Sequence, residues 1–131
     1  MDTRAKILTI ESAIETARRV KGEGRKVTAV TGYFDVVLAA QVRDLEIVRK
    51  SAASGCLMVV LLPRAQSLLS QRARAEVVAG LSMVDYVVTE ISDDLDSFLR
   101  RLPADHVISR QTADEEQTRL LMEHVHVRHS I

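Results

Sequence analysis

Seven consecutive apolar residues, Cys56-Leu57-Met58-Val59-Val60-Leu61-Leu62, leave any strand formed from them without a polar face to turn toward water. A strand that is apolar on both faces belongs in the middle of a parallel sheet, with helices packed above and below it. Gly55 precedes the run, Pro63 stops it, and it is far too short to cross a bilayer. This narrows the chain to α/β architectures.

On either side of the run, helical and strand-like periodicities alternate, with no internal repeat and no low-complexity segment. Thr9 is placed to cap a helix whose apolar positions Ile10, Ala13, Ile14, Ala17 and Val20 recur at three- and four-residue spacing, and Gly22 and Gly24 end it. Residues 26–31 form a short β-branched strand, residues 32–35 a turn, and residues 37–54 a helix. After the apolar run the spacing predicts a helix over 68–81 and a strand over 85–89. Ser92, Asp93 and Asp94 then cap a helix that runs to Arg101, and a strand over 105–109 follows. Thr112 and Glu115 make a capping box for a helix to about Glu123, beyond which Val125 and Val127 alternate with histidines as in a last strand. The pattern predicts one domain over 1–131, a Rossmann-like, doubly wound parallel sheet with helices on both faces in an α-β-α sandwich. Such sheets bind ligands outside the carboxyl ends of their strands, near the point where the strand order reverses. The loop after residues 26–31 is therefore where chemistry is expected.

Charge says what that ligand is not. Lysine plus arginine and aspartate plus glutamate are 18 each. The balance of zero argues against a surface built to hold nucleic acid or anionic membrane. Aromatic residues at 3% argue against stacking platforms for single strands. Cys56 is the one cysteine, which excludes an internal disulfide and suits a reducing compartment; with no basic-then-apolar leader in view, the reading is cytoplasmic. The zero conceals a gradient. Residues 1–84 carry 13 basic and 8 acidic side chains, and residues 85–131 carry 5 and 10. An anionic ligand is expected in the first part.

The loop in question reads Val30-Thr31-Gly32-Tyr33-Phe34-Asp35-Val36-Val37-Leu38-Ala39-Ala40-Gln41-Val42. Further along stand Arg74-Ala75-Glu76-Val77-Val78-Ala79-Gly80-Leu81, Val84-Asp85-Tyr86-Val87-Val88 and Leu102-Pro103-Ala104-Asp105. Together with Lys6-Ile7-Leu8-Thr9 and Gly24-Arg25-Lys26-Val27, these segments resemble the nucleotidyltransferase superfamily with the H-x-G-H motif, the cytidylyltransferase-like group. The likeness is strongest to the adenylyltransferase domain of ADP-heptose synthase and reaches to about Ser109. In that family G-x-F-D precedes H-x-G-H, whose two imidazoles hold nucleotide phosphates at a helix amino terminus while pyrophosphate leaves.

In this chain Leu38 stands at the first histidine, Ala40 at the glycine and Gln41 at the second histidine. Leucine offers no donor, whereas glutamine keeps a neutral one. Losing a single preorganised donor costs on the order of 10² to 10³ in rate. The resemblance therefore implies a degenerate domain that binds a nucleotide or phosphorylated metabolite without efficient transfer. The nucleotide-binding set it implies is Gly32, Tyr33, Phe34, Asp35, Leu38, Gln41 and Arg74, with Gln41 at the degenerate catalytic position. Two other readings stand beside it. One is a working enzyme that moves a nucleoside monophosphate onto a sugar phosphate or alcohol phosphate, with Gln41, Arg74 and Mg²⁺ sharing the electrostatic work. The other is a dimerising interaction module without catalysis; the family resemblance admits a homodimer.

Each residue also has a structural reading. Gly32 serves a tight turn or faces phosphate; Asp35 caps the following helix or orients the loop; Phe34 is core or a stacking platform. Arg74, beside Arg72, reaches a phosphate or is solvated, and Arg64 is a weaker anion candidate. Cys56 reads as a buried strand residue without an activating partner. His124, His126 and His129 read as an exposed tail, since no carboxylate stands at ligand spacing, and no metal site is expected.

Overall fold

The computed structural model describes residues 3–35, 39–51, 54–64, 67–89 and 94–110. A 3-10 turn, Thr3–Lys6, leads into strand β1 (Ile7–Leu8) and helix α1 (Ile10–Gly22). There follow β2 (Val27–Gly32), α2 (Ala39–Ser51), β3 (Cys56–Leu61), α3 (Gln71–Ala79), β4 (Tyr86–Val88), α4 (Leu95–Arg101) and β5 (His106–Ser109). The five strands lie in the order β1-β4-β3-β2-β5, and every neighbouring pair is parallel. This is the expected α/β, Rossmann-like architecture. From β2 the chain steps through β3 to β4 on one side, then returns to place β5 on the other. The strand order thus reverses between β2 and β5, and the crevice at their carboxyl ends is the switch point.

Strand β3 behaves as its composition requires. Cys56, Met58, Val60 and the following Leu62 face one core, with Ala13, Ile14, Ala17 and Val20 of α1 and with Phe98 and Leu102 of the α4 region. Leu57, Val59 and Leu61 face the other, with Leu45 of α2 and Ala75, Val78 and Ala79 of α3. Both faces are closed to water, and each fully buried Val or Leu side chain contributes roughly 1.5–3 kcal/mol. Helix α1 begins and ends where its sequence says: the Thr9 hydroxyl accepts from Ser12 N–H at 3.2 Å, and Gly24 takes φ +80 after the last turn.

The elements depart from expectation in two places. Strand β1, which the periodicity did not predict, is only two residues long and pairs with β4, so local pattern cannot reveal it. Lys6 fastens it there by donating to the Val84 and Leu81 carbonyls at 3.0 and 3.3 Å. Helix α3 starts at Gln71, not 68, because the Ser70 side chain accepts from Ala73 N–H and the two leucines before it are drawn into another contact, described below. Asp94 supplies the α4 cap, accepting from Ser97 N–H at 3.0 Å. Ser92, Asp93, the Thr112 capping box, Val125, Val127 and the three terminal histidines lie outside the described residues. None of the described helices is long and apolar enough to cross a membrane.

Candidate functional site

The alternation of β2 continues past its last paired residue. Tyr33 packs on the α1 side of the sheet, and Phe34 turns to the α2 side, where it is 0% exposed among Val30, Leu45, Leu57, Val59 and Leu61. Gly32 is still in the strand, its carbonyl accepting from Leu62 N–H at 2.9 Å. The left-handed step of the loop falls on Phe34 (φ 47) instead. Such a backbone costs of order 1 kcal/mol or more for a bulky residue and persists only where the surroundings fix it. Burying the ring does so here, which places Phe34 in the core and not on a surface able to stack a base.

Asp35 is the pivot of the loop. It is 2% exposed, and its two oxygens accept from the backbone N–H groups of Leu68 and Leu69 at 2.8 and 2.9 Å. Its described bonds thus orient the segment before α3; residues 36–38, where a cap of α2 by Asp35 would be read, lie outside the described residues. Arg64 stands 3.8 Å from the same carboxylate and 5.7 Å from the centroid of the Tyr33 ring, with its side chain 26% exposed.

Arg74 lies under the loop. Its guanidinium donates from Nη1 to the carbonyls of Tyr33 at 2.7 Å and Leu62 at 3.0 Å, tying together the chain segments that leave β2 and β3. The residue is 1% exposed, so it positions the loop from beneath and does not project into solvent. Burial draws its pKa down, opposed by the charge of Asp35. Two arginine N–H groups at this edge, Nε of Arg74 and Nη1 of Arg64, are buried without a hydrogen-bond partner. Buried donors are nearly always bonded, so this pair marks the edge as short of acceptors.

Gln41 sits in the first turn of α2 and is fully buried. Leu38 lies outside the described residues. Across the switch point, Arg110 donates its backbone N–H to the Thr31 carbonyl at 2.8 Å and its guanidinium to Asp44 of α2 at 2.7 Å. The structure thus gathers Tyr33, Phe34, Asp35, Arg64 and Arg74 around the ends of β2 and β3. Sequence reasoning did not single out Arg110, for which the available signal was a cation directly after β5.

No family model matches the chain. Over 96 residues it is 32% identical to "Bifunctional protein HldE" of Wolinella succinogenes, a match that covers 66% of this chain. The chain spans 20% of that protein's length. This partial similarity supports a nucleotidyltransferase-like domain, in keeping with the resemblance carried by the loop.

Two further features bear on chemistry at the site. Among the described residues no three His, Cys, Asp or Glu side chains gather as a metal site would need. Asp35 is 2% exposed and turns each of its oxygens to a backbone N–H, which ties it to the segment before α3. Cys56 is buried, and burial first, with Asp85 second, pushes its thiol up to about 11. That removes it as a nucleophile at neutral pH.

Proposed function

We propose that this chain is a degenerate cytidylyltransferase-like domain that binds a nucleotide or phosphorylated metabolite at the switch point without efficient nucleotidyl transfer. The observation that carries the reading is a retained frame around a lost motif. Gly32, Phe34, Asp35 and Arg74 form a tightly bonded loop support with two arginine donors left over, while the H-x-G-H position reads Leu38-Ala39-Ala40-Gln41. The partial similarity to HldE supports the superfamily. An anion here would meet Arg64 at the rim and the amino-terminal turn of α2, the end of a helix that favours negative charge. Transfer would need donors for the charge that builds on the leaving pyrophosphate, and leucine at position 38 supplies none.

The working-enzyme reading asks Arg74 to share that charge, yet its guanidinium is 1% exposed and bound to two carbonyls. Nucleotide titration monitored by thermal unfolding tests the proposal, since a ligand that binds only the folded state raises the midpoint. Millimolar ATP or CTP is expected to raise it, with pyrophosphate release at the uncatalysed level in the presence of sugar or alcohol phosphates. Release at an ordinary enzymatic rate would overturn the loss of transfer. No shift with any nucleotide would favour the dimerising module, for which edge strand β5 exposes Val107 and Ile108.

A further inference from the structure

We propose that the opposite, amino edge of the sheet carries a second anion site, between the carboxyl end of α2 and the first residues of β2 and β5, that takes a phosphoryl group of a small molecule. A cavity of about 470 Å³ lies there, with Lys26, Thr28, Lys50, Ser54, Gly55 and His106 in its wall. The sheet register sets Thr28 and His106 side by side, and α2 ends above them at Lys50 and Ser51. The described wall holds no carboxylate.

Lys26 and Lys50 are exposed, and neither ammonium group makes an ion pair or a hydrogen bond with the described residues. Their cationic neighbours are engaged: Lys21 with Asp105 at 3.3 Å, Arg49 with Asp85 at 2.6 Å, and Arg25 with the Ser54 and Gly55 carbonyls at 3.0 and 3.2 Å. Those last bonds matter, because the carboxyl end of a helix presents carbonyls that repel an anion. Arg25 and Arg49 both cover the Gly55 carbonyl, and the Ser51 hydroxyl covers that of Val48. Two carboxylates adjoin lining residues in the chain: Asp105 is held by Val27 N–H at 2.8 Å and by Lys21, and Glu23 lies 3.7 Å from Arg25. The two free ammonium groups are thus left for a ligand.

Thr28 is the independent observation. The residue is 3% exposed and lines the cavity, yet its hydroxyl has no hydrogen-bond partner among the described residues. That hydroxyl is accessible from the cavity and bonds what fills it. Two ammonium point charges, a hydroxyl and an imidazole suit a tetrahedral dianion better than a planar monocarboxylate. The volume is that of a small-molecule pocket and leaves room for an organic group beyond the phosphate. This site is independent of the nucleotide reading, which concerns the other ends of the same strands.

The experiment is a titration of the isotope-labelled full chain with inorganic phosphate, pyrophosphate and glycerol 3-phosphate, with acetate and chloride as controls at constant ionic strength. Saturable amide shifts at Lys26, Thr28, Gly55 and His106 with the phosphoryl probes alone are expected. Lys26→Ala and Lys50→Ala should each weaken pyrophosphate binding about fivefold. Thr28→Val, nearly isosteric, should weaken it about as much with thermal unfolding unchanged. Tighter binding of glycerol 3-phosphate than of inorganic phosphate assigns the site to an ester, and equal binding assigns it to the free anion; either supports it. An equal response to chloride, shifts spread over all lysines, or unchanged binding in the three variants would overturn it. Shifts confined to residues 32–41 would also overturn it while leaving the nucleotide reading intact.

Discussion

Arg74 shows what a single buried cation does for this loop. Its Nη1 donates to two carbonyls at the point where β2 and β3 run out. Removing it takes this donor from both and empties a buried position, since the residue is 1% exposed. Arg74→Ala is expected to cost about 3 kcal/mol in urea unfolding, and Arg74→Lys to recover part of it, because both bonds come from one nitrogen and an ammonium also carries more than one donor. A variant as stable as the parent would show that the carbonyls find other donors. The sequence marked residue 74 through its neighbours but left open which way it pointed. Arg72, Arg74 and Glu76 alternate along α3 with no local pattern separating the buried member. The decision lies with Tyr33 and Leu62, residues on other elements. Cys56 was legible, since an uninterrupted apolar run already implies burial on whichever face a residue takes.

At the scale of elements, what the sequence made legible were ends and faces with local causes. The Thr9 hydroxyl on Ser12 N–H and the left-handed Gly24 bound α1 from within ten or so residues of its middle. Thr9→Ala should therefore cost about 1 kcal/mol, read as a lowered urea midpoint with the denaturant slope unchanged. A loss well below that value would mean that the packing of Ala13, Ile14, Ala17 and Val20 alone sets where the helix starts. Strand β1 is the opposite case: two residues carry no period, and their pairing exists only once β4 is in place. The start of α3 also escaped local reading. Leu68 and Leu69 fit an apolar helical face, but their N–H groups are taken by Asp35, more than thirty residues earlier, and their side chains are left exposed. Asp85 works in the same long-range way, accepting from Leu57 N–H at 2.8 Å and from Arg49 of α2.

Across the whole molecule, the return of the chain to the far side of β2 is fastened by Asp105. Its carboxylate accepts from Val27 N–H at 2.8 Å, its own N–H donates to the Val27 carbonyl at 2.8 Å, and Lys21 lies 3.3 Å away. The Val27 bond first, and Lys21 after it, hold this carboxyl below its ordinary range. A carboxyl depressed in the folded state stabilises above its unfolded value, near 3.9, and that contribution is lost as pH falls through the lower folded value. Asp105→Asn is accordingly expected to be less stable than the parent at pH 7, with the two urea midpoints converging as the pH falls through the depressed folded value. A gap that persists in acid would assign the effect to packing and not to charge. The charge gradient reads differently at this scale as well. The basic first part of the chain supplies Lys26 and Lys50 at the amino edge and Arg64 at the carboxyl edge, so one compositional excess serves two ends of the sheet.

By itself, the sequence determined the α/β class, the central place of Cys56–Leu61 and the faces of α1. These follow from periodicity, caps and residue identity, which act between neighbours a few positions apart. Only the tertiary structure decided that Arg74 points inward, that Asp35 restrains the approach to α3, that Phe34 takes the left-handed step, and that Thr28 opens on a cavity beside two free lysines. Each of those depends on which carbonyl, N–H or void another element brings alongside, and no local pattern encodes a partner thirty residues away.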